Sequence, residues 1–410
     1  MAEILEIARL GRAGDGIAET ETGVIYVPMT LPGETVEVEC RGDRGNAVRI
    51  LSESEHRVDP ICQHFGACGG CALQHMARTA YLDWKRELVA ESFARRGIVA
   101  NVEPVVPIEP NSRRRAVFSA LRTARGIVLG FYQRGTNRIV PIGECPVMVP
   151  VIVEKLGQLK EIAETVLRPG KPARLAVLAA DNGLDIAIDG AGRIGRREYE
   201  RLGSLATDTD LARLTIDGEQ IFLNRQPQIR ADEVALLPVP GGFVQAAADA
   251  ETAIASVVHD HIGAVAPIAD LFAGIGTFAL RLARESAVTA VEGSTDLVAA
   301  IVAAANATQS LKPLTVRKRD LFQNPLAAIE LNAFAAVVFD PPAAGAKAQA
   351  EAIAASDMPR VVAVSCNPAT LARDARILID GGYRLVRVVP VDQFLFSSEI
   401  EVIATFEKAD

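Results

Sequence analysis

Cys366 is the residue of this 410-residue chain whose position best suits nucleophilic chemistry. It follows the apolar run 360–365 and stands directly before a helical pattern that begins near Pro368. A thiol near the N-terminus of a helix has a lowered pKa and a larger thiolate fraction. The sequence therefore predicts a reactive Cys366 with a lowered pKa, and a small buried core residue is the alternative.

Four acidic residues each end a strand-like run in the C-terminal part, namely Asp270, Glu292, Asp320 and Asp340. Asp270 opens a turn containing Gly274 and Gly276, where the backbone can approach a ligand closely. A carboxylate at Glu292 can bind ribose hydroxyls, and Asp320 lies where an adenine amino group is expected. Successive negative charges suit a cationic sulfonium and repel a pyrophosphate. The pattern favours S-adenosylmethionine over NAD, although any single acid could be a helix N-cap.

A further carboxylate, Glu401, lies between Ile400 and Val402 in the apolar alternating run near the end of the chain. A carboxylate in such surroundings is a candidate general base. Glu399 is the rival because alternation places it on the same face. An exposed charge at a sheet edge is the structural alternative for both residues.

Four cysteines are grouped as Cys62, Cys68, Cys71 and the distant Cys145, which Pro146 follows. Four thiolates with glycine-rich spacing and a terminal Cys-Pro are typical of a [4Fe–4S] cluster. Zinc is the alternative, but zinc ribbons pair two C-x2-C knuckles. We expect His64 to be a neighbour of the ligands, and Cys40 to be a core residue of a strand.

The predicted secondary structure that positions these residues differs between three parts of the chain. Residues 1–53 contain short strands with glycine turns, which predict a small oligonucleotide-binding-type β-barrel. A helix is expected at about 78–96, and residues 54–240 otherwise predict a mostly β central domain that contains the cysteine loop. From 241 to 410, strands alternate with alanine-rich helices, which predicts a doubly wound parallel sheet. The fold class is thus multidomain α/β.

The net charge of −8 disfavours unspecific nucleic-acid binding, but the charge distribution is uneven. Residues 111–143 contain seven arginines and no acid, with Phe118, Phe131 and Tyr132 between them. This stretch could contact phosphates or form a solvated sheet face. No apolar stretch is long enough to span a membrane, and the N-terminus lacks the pattern of a signal peptide. A cytoplasmic protein is expected, with no membrane association and no evident obligate protein partner.

Together these motifs resemble the bacterial RNA uracil-5 methyltransferase family, in particular its iron–sulfur 23S ribosomal RNA branch. The resemblance covers nearly the whole chain, and it rests on the cysteine spacing, the segments DLFAGIGTF, FDPP and SCNP, and the closing glutamate. It implies a TRAM-type barrel at 1–53, a central RNA-binding domain at 54–240 and a class I methyltransferase domain at 241–410. Ala247, Ala343 and Glu399 depart from residues usual in the family, which are Asn, Arg and His.

The resemblance also implies roles for individual residues. The nucleophile would be Cys366 and the proton-abstracting base Glu401. The S-adenosylmethionine site would comprise Gln245, Phe272, Thr277, Glu292, Asp320 and Asp340. The cluster ligands would be Cys62, Cys68, Cys71 and Cys145. The run 113–115 would belong to a basic, RNA-facing strand.

The chemistry of uracil explains why such an enzyme needs a thiolate. Carbon 5 reacts poorly with a methyl sulfonium until a thiolate adds to carbon 6, and a base must later remove the proton from carbon 5. The same chemistry on the T-loop of tRNA is the nearest alternative to 23S ribosomal RNA. A non-catalytic RNA-binding protein and an amino-group methyltransferase are the further alternatives.

Overall fold

The computed structural model describes residues 2–21 and 23–409. The N-terminal strands are β1 (Ala2–Glu6), β2 (Arg9–Leu10), β3 (Gly16–Thr20), β4 (Gly23–Val27), β5 (Thr35–Arg41) and β6 (Arg44–Ser52). They form one sheet in the order β1-β5-β6-β4-β3-β2. Alternation of apolar and polar residues along β4 and β5 places Ile25, Val27, Val36 and Val38 in a small core, against which Cys40 packs. Whether this sheet closes into a barrel stays a prediction.

The middle of the chain contains one long helix followed by a second sheet. The elements are α1 (Arg78–Ala94), β7 (Arg115–Thr123), β8 (Gly126–Tyr132), β9 (Ile139–Pro141), α2 (Pro150–Glu154), α3 (Leu156–Val166), β10 (Pro172–Ala180), β11 (Gly183–Asp189), α4 (Arg196–Asp208), β12 (Leu211–Ile216) and β13 (Glu219–Leu223). The strand order is β13-β12-β11-β10-β7-β8-β9. The expected strands and α1 are confirmed, and α3 and α4, which the sequence had not predicted, cover one face of the sheet.

A third sheet follows a short hairpin. The elements are β14 (Ile229–Ala231), β15 (Val234–Leu236), α5 (Ala248–Ile262), β16 (Ile268–Leu271), α6 (Ala279–Leu282), β17 (Val288–Glu292), α7 (Thr295–Ala307), β18 (Leu314–Lys318), α8 (Ala328–Leu331), β19 (Ala336–Phe339), α9 (Lys347–Ala354), β20 (Arg360–Ser365), α10 (Pro368–Asp380), β21 (Tyr383–Val391) and β22 (Glu401–Lys408). The order is β18-β17-β16-β19-β20-β22-β21. Strands β16 to β20 are parallel, which confirms the predicted alternating pattern.

The third sheet is apolar on both faces, as expected for parallel strands between two helix layers. One face packs against α1, α8, α9 and α10, and the other packs against α5, α6 and α7. The strand order reverses on the two sides of β16, so the turns after β16 and β19 form a crevice at the carboxyl edge of the sheet. Strand β22 is antiparallel to β20, and its first residue therefore reaches the same edge.

Helix α1 packs on the third sheet although it lies far from that sheet in the sequence. Val89 and Phe93 of α1 are buried among residues of β19, β20 and β22. The segment that follows adds bridges from Val102 to Val388 and from Val106 to Val391, beside the edge strand β21. Among the described residues, no helix combines the length and the apolar character that a membrane crossing requires.

Candidate active site

Three of the predicted chemical groups meet at the carboxyl edge of the third sheet. Cys366 directly follows β20, and Asp340 directly follows β19. Strand β22 pairs with β20 so that Val402 faces Ser365, which places Glu401 beside Cys366. The carboxylates of Glu401 and Asp340 both act electrostatically on the thiol. The sheet register therefore gathers a nucleophile and two acids that are up to 61 residues apart in the chain.

Gln245 joins this group from a segment before α5. It is buried, and its amide nitrogen donates to Asp340 Oδ2 at 3.2 Å. Arg114 holds the backbone of this segment, because its Nε donates to the Gln245 carbonyl at 3.1 Å. The Arg114 guanidinium is itself buried and forms an ion pair with Glu251 at 2.5 Å. The interpretation of the 113–115 run as RNA-facing is thus wrong for Arg114, which positions Gln245 from inside the protein.

The expected lowered pKa of Cys366 is also wrong. Burial and the charges of Glu401 and Asp340 raise the pKa of this thiol to about 11. Cys366 does lie before a helix, since Pro368 begins α10 and the Asn367 side chain accepts a hydrogen bond from the Ala369 N–H at 3.1 Å. A helix terminus contributes only a partial positive charge, which desolvation and two nearby carboxylates outweigh.

The two candidate bases have different surroundings. Glu399 is exposed in the loop before β22, whereas Glu401 is only 2 % exposed. Burial and the charge of Asp340 raise the pKa of Glu401 well above its ordinary value, and a hydrogen bond from Gln393 opposes the shift. Burial likewise raises the pKa of Asp340 to about 7, although its side chain keeps some solvent contact at the cleft. Raised pKa values are typical of carboxylates that take part in proton transfer, which makes Glu401 and Asp340 candidates for that role.

The turn that carries Cys366 is held from two sides. Asn367 Nδ2 and Thr370 Oγ1 both donate to the Ala343 carbonyl at 3.1 Å, which ties this turn to the loop after Asp340. Arg12, from the turn after β2 in the first sheet, donates to Asn367 Oδ1 at 2.8 Å. A cavity of about 940 Å³ lies beside this contact, between the first sheet, α1 and residues 398–400. The reactive turn therefore borders a groove.

The predicted nucleoside-binding residues lie on the other side of β16. Glu292 accepts hydrogen bonds from the Gly274 N–H at 2.9 Å and the Ser294 N–H at 2.8 Å. Asp320 is exposed and accepts from the Phe322 N–H at 2.9 Å. These backbone donors fix both carboxylates and leave oxygen lone pairs for a ligand.

Two aromatic rings lie at this side of the edge. Phe272 has a left-handed backbone with φ of 60°, an uncommon conformation for a residue other than glycine. Its ring lies 5.2 Å from that of Phe322, centroid to centroid, and Phe322 is 51 % exposed. Thr277 is half-buried at the start of the next turn. Sequence reasoning missed Phe322, whose only signal is its position two residues after Asp320.

A buried ion pair supports the loop before β22. Lys85 of α1 is completely buried and donates to Asp392 Oδ1 at 2.5 Å and to the Glu399 carbonyl at 2.6 Å. Tyr81 also donates to Asp392 Oδ1, at 2.8 Å. The loop that leads into Glu401 is thus fixed at both ends by α1. Sequence reasoning missed this pair because its partners are 307 residues apart.

The four grouped cysteines line one cavity of about 310 Å³. Two loops form it, and they are joined by hydrogen bonds from the Gln63 N–H to Glu144 Oε1 at 2.9 Å and from the Gly143 N–H to His64 Nε2 at 3.1 Å. The second bond occupies one nitrogen of His64. Burial raises the pKa of the Cys71 thiol to about 12, and the charge of Cys145 contributes. Apolar side chains form much of the wall, among them Phe65, Phe131, Ile142 and Met148.

The cysteines are near one another but do not converge on one point. Within the described ranges, no three His, Cys, Asp or Glu side chains are placed to bind a single metal ion. All four thiols are free of disulfide bonds. Phe394, Leu395 and Ser397 also line this cavity, so the loop between Asp392 and Glu401 separates it from the acids around Cys366.

Comparison with known proteins agrees with this geometry. A family described as tRNA (Uracil-5-)-methyltransferase matches residues 212–409. An RNA methyltransferase of Brucella suis, described as uncharacterized, is 45 % identical over 98 % of this chain and 97 % of its own length. The 23S rRNA (uracil(1939)-C(5))-methyltransferase RlmD of Shewanella amazonensis is 30 % identical over 98 % of this chain and 95 % of its own length. The chain belongs to the RNA uracil-5 methyltransferase family. It is therefore an enzyme that methylates carbon 5 of uracil in RNA with S-adenosylmethionine.

A solved structure has the same fold. The tRNA (uracil-54, C5)-methyltransferase of Pyrococcus abyssi, in complex with S-adenosyl-L-homocysteine, superposes with a TM-score of 0.77 at 22 % identity. The superposition covers 98 % of this chain and 99 % of the other. The third sheet of this uracil-5 methyltransferase is thus a class I methyltransferase sheet.

Proposed function

We propose that this uracil-5 methyltransferase modifies one uridine of 23S ribosomal RNA through a covalent bond between Cys366 and carbon 6 of the base. The observation that carries the proposal is the meeting of Cys366, Glu401, Asp340 and Gln245 at one sheet edge. The choice of ribosomal RNA rests on the Shewanella relative, which resembles this chain over almost its whole length.

In the proposed reaction, Cys366 Sγ forms a bond to carbon 6, and the electrons of the carbon 5–carbon 6 double bond move toward carbon 5 and the carbonyl oxygen at carbon 4. Because the thiol pKa is raised, its proton must leave as the sulfur attacks, and Asp340 is the acceptor whose pKa of about 7 suits this transfer. When bound, S-adenosylmethionine would supply the methyl group for carbon 5 and would leave as S-adenosylhomocysteine. Glu401 removes the remaining proton from carbon 5, the sulfur–carbon bond breaks, and the double bond is restored.

The nucleoside half of S-adenosylmethionine fits the residues on the other side of β16. We propose that Glu292 binds the ribose hydroxyls, that Asp320 binds the adenine amino group, and that the contacting rings of Phe272 and Phe322 form an apolar wall beside the adenine. Thr277 borders this site at the turn after β16. Asp340 and Gln245 stand between this half and Cys366, next to the expected position of the methyl group.

We further propose that Cys62, Cys68, Cys71 and Cys145 hold a [4Fe–4S] cluster. The cavity of about 310 Å³ has four thiols and a largely apolar wall, which is the donor set such a cluster requires. Four thiolates can also bind zinc, and zinc is therefore the alternative that the experiment must exclude.

The metal content of anaerobically purified protein tests the cluster. We expect about four iron and four sulfide per chain, with a loss of iron in Cys71→Ser. Cys40→Ser is the matched control, because Cys40 packs in the first sheet, away from the cavity. Stoichiometric zinc without sulfide would overturn the proposal.

We also propose that the chain consists of three domains with separate functions. Residues 1–53 would form a TRAM-like barrel, 54–240 a central RNA-binding domain, and 241–410 the methyltransferase domain. The groove of about 940 Å³ carries four arginines, Arg9, Arg12, Arg95 and Arg96, and four acids, Asp83, Glu87, Glu91 and Glu399. In this proposal the arginines contact phosphates near the reactive turn. Action on ribosomal RNA would place the enzyme in the cytoplasm.

The same chemistry on a tRNA uridine is the second candidate, because the matching family and the Pyrococcus structure both carry a tRNA name. Labelled S-adenosylmethionine should be incubated with the anaerobically purified enzyme and with ribosomal RNA and tRNA from a strain lacking the gene. Label at carbon 5 of one 23S uridine would support the proposal. Label in tRNA alone would show that the substrate is a tRNA uridine, and label in neither RNA would overturn both candidate substrates.

A further inference from the structure

Gln393 lies in the loop between β21 and β22 and has no part in the reaction described above. Its side chain is only 3 % exposed and makes three hydrogen bonds. The Nε2 group donates to Glu401 Oε2 at 2.7 Å and to Gln245 Oε1 at 2.7 Å, and Oε1 accepts from the Ala246 N–H at 2.9 Å. An amide nitrogen has two protons, so both of its donors are used in the candidate active site.

These bonds fix the orientation of the two residues beside Gln393. Since Gln245 Oε1 accepts from Gln393, the Gln245 amide nitrogen must face the other way, toward Asp340 Oδ2 at 3.2 Å. A continuous chain of buried side chains thus runs from Glu401 through Gln393 and Gln245 to Asp340. It joins the two acids whose pKa values are raised.

The chain also leaves one oxygen of Glu401 free. Gln393 engages Oε2, whereas Oε1 is buried and has no hydrogen-bond partner among residues 2–21 and 23–409. A buried oxygen without a partner carries a desolvation cost, which a proton donor in the cleft would relieve. Glu401 Oε1 is therefore the oxygen that is ready to accept a proton.

The backbone of Gln393 is held firmly enough to impose this geometry. Its N–H donates to the Val391 carbonyl at 2.9 Å. The preceding residue, Asp392, is completely buried and is bound by Lys85 and Tyr81 of α1. The side chains of Ala246 and Ala247 bring no polar group to this cluster, so the donor to Glu401 comes from the loop before β22.

We propose that Gln393 is a positioning residue that holds the Glu401 carboxylate by one oxygen, leaves the other free to take the carbon 5 proton, and aligns Gln245 with Asp340. The inference rests on the proposed role of Glu401 as the base. A methionine of similar length would fill the same space without donating, and a glutamate would add a third negative charge to the cluster.

The consequence for pH follows from the charged groups that face Glu401. These are Asp340 after β19 and Cys366 after β20, and the Gln393 hydrogen bond opposes the rise in pKa caused by burial and Asp340. Removing the donor raises the pKa of Glu401 further. The base is then protonated over a wider pH range, and proton removal requires a higher pH.

The test compares Gln393→Met and Gln393→Glu with the wild type, using total RNA from a strain lacking the gene. We expect turnover at pH 7 to fall ~10- to 100-fold in Gln393→Met, as for the loss of a hydrogen bond to a charged group. The acidic limb of the pH–rate profile should move up by about one pH unit, and a covalent RNA–enzyme complex should accumulate on denaturing gels. Gln393→Glu should show the larger loss.

Gln349→Met is the matched control, because Gln349 is a buried amide whose side chain, among the described residues, is bonded to the backbone of Leu326 and not to the acids around Cys366. It should lower the melting temperature without moving the pH–rate profile. An unmoved profile in Gln393→Met would overturn the inference, whatever the change in melting temperature. Glu401→Gln separates the two proposals: if it traps no covalent complex, the assigned base is wrong, and if it traps one while Gln393→Met matches the wild type, only the positioning role fails.

Discussion

Two pairs of carboxylates lie along one sheet edge and are held in different ways. Glu292 at the end of β17 and Asp320 after β18 are bound by backbone N–H groups in tight turns and keep contact with solvent. Asp340 and Glu401, after β19 and at the start of β22, are bound by the amide side chains of Gln245 and Gln393. Burial raises the pKa of both members of the second pair.

The difference separates binding from proton transfer. Backbone N–H groups fix the orientation of a carboxylate, so the first pair is suited to hydrogen-bonding hydroxyl and amino groups. Burial with a single side-chain donor raises the pKa of a carboxylate, so the second pair is suited to exchanging protons. One edge of one sheet thus carries two chemical functions, divided at β16.

The largest expected effect comes from the thiol beside the buried pair. Cys366→Ala should reduce methyl transfer to background, because the proposed reaction begins with the bond from Cys366 Sγ to carbon 6. S-adenosylmethionine affinity, measured by calorimetry, should stay within about twofold, since the nucleoside side is untouched. Methylation at a normal rate in this variant would point to an amino group as the methyl acceptor.

Glu401→Gln should have the next largest effect. Loss of a general base costs ~10²- to 10⁴-fold in rate. The methylated RNA should stay attached to the enzyme, because elimination requires removal of the carbon 5 proton. The attached fraction can be counted on a denaturing gel, with the exposed Glu399→Gln as the control. Prompt release of methylated RNA would exclude Glu401 as the base.

Glu292→Gln tests the other pair. It should weaken S-adenosylmethionine binding ~10- to 100-fold, the cost of one hydrogen bond to a charged group. Turnover at saturating S-adenosylmethionine should change by only a few fold, and no covalent complex should accumulate. Glu285→Gln, an exposed acid beside His259, is the control for loss of one charge. If Glu292→Gln bound S-adenosylmethionine normally but turned over slowly, Glu292 would act in the reaction and not in binding, and the two pairs would not differ in function.

The smallest effect concerns stability. Burial raises the pKa of Asp340 from 3.8 to about 7, so the folded state binds this proton more tightly than the unfolded state. Its contribution to the free energy of unfolding is therefore complete below pH 4 and is lost as the pH rises through 7. Between pH 5 and pH 8, the free energy of unfolding measured in urea should decrease in the wild type by ~1–3 kcal/mol more than in Asp340→Asn, because one pKa unit corresponds to about 1.4 kcal/mol. Parallel pH dependence in the two proteins would contradict the buried position of this proton.

The features that the sequence predicted are local ones. The sequence predicts the strands of the third sheet, their terminal acids and the turn before α10, because each of these features occupies a short stretch of chain. The carboxyl ends of parallel strands share one edge, and the motifs therefore implied a common site before any distance was known.

The missed or wrong features depend on contacts between distant segments. Arg114 stands in a run of arginines, but its partner Glu251 is 137 residues away, and only the fold shows that the pair is buried. The helix before which Cys366 lies is visible in the sequence, whereas the desolvation that raises its pKa is not. Gln393 has no motif of its own, and its bond to Gln245 spans 148 residues.

The buried pair of Lys85 and Asp392 has a consequence for how this enzyme can be divided or recombined. A fragment that began at residue 241 would keep Asp392 but lose its partners Lys85 and Tyr81, so the loop before Glu401 would lose the hydrogen bonds that hold it. It would also expose the apolar face that Val89 and Phe93 cover. The catalytic unit is therefore discontinuous in sequence, and any chimera built on this sheet must carry residues 78–106 with it.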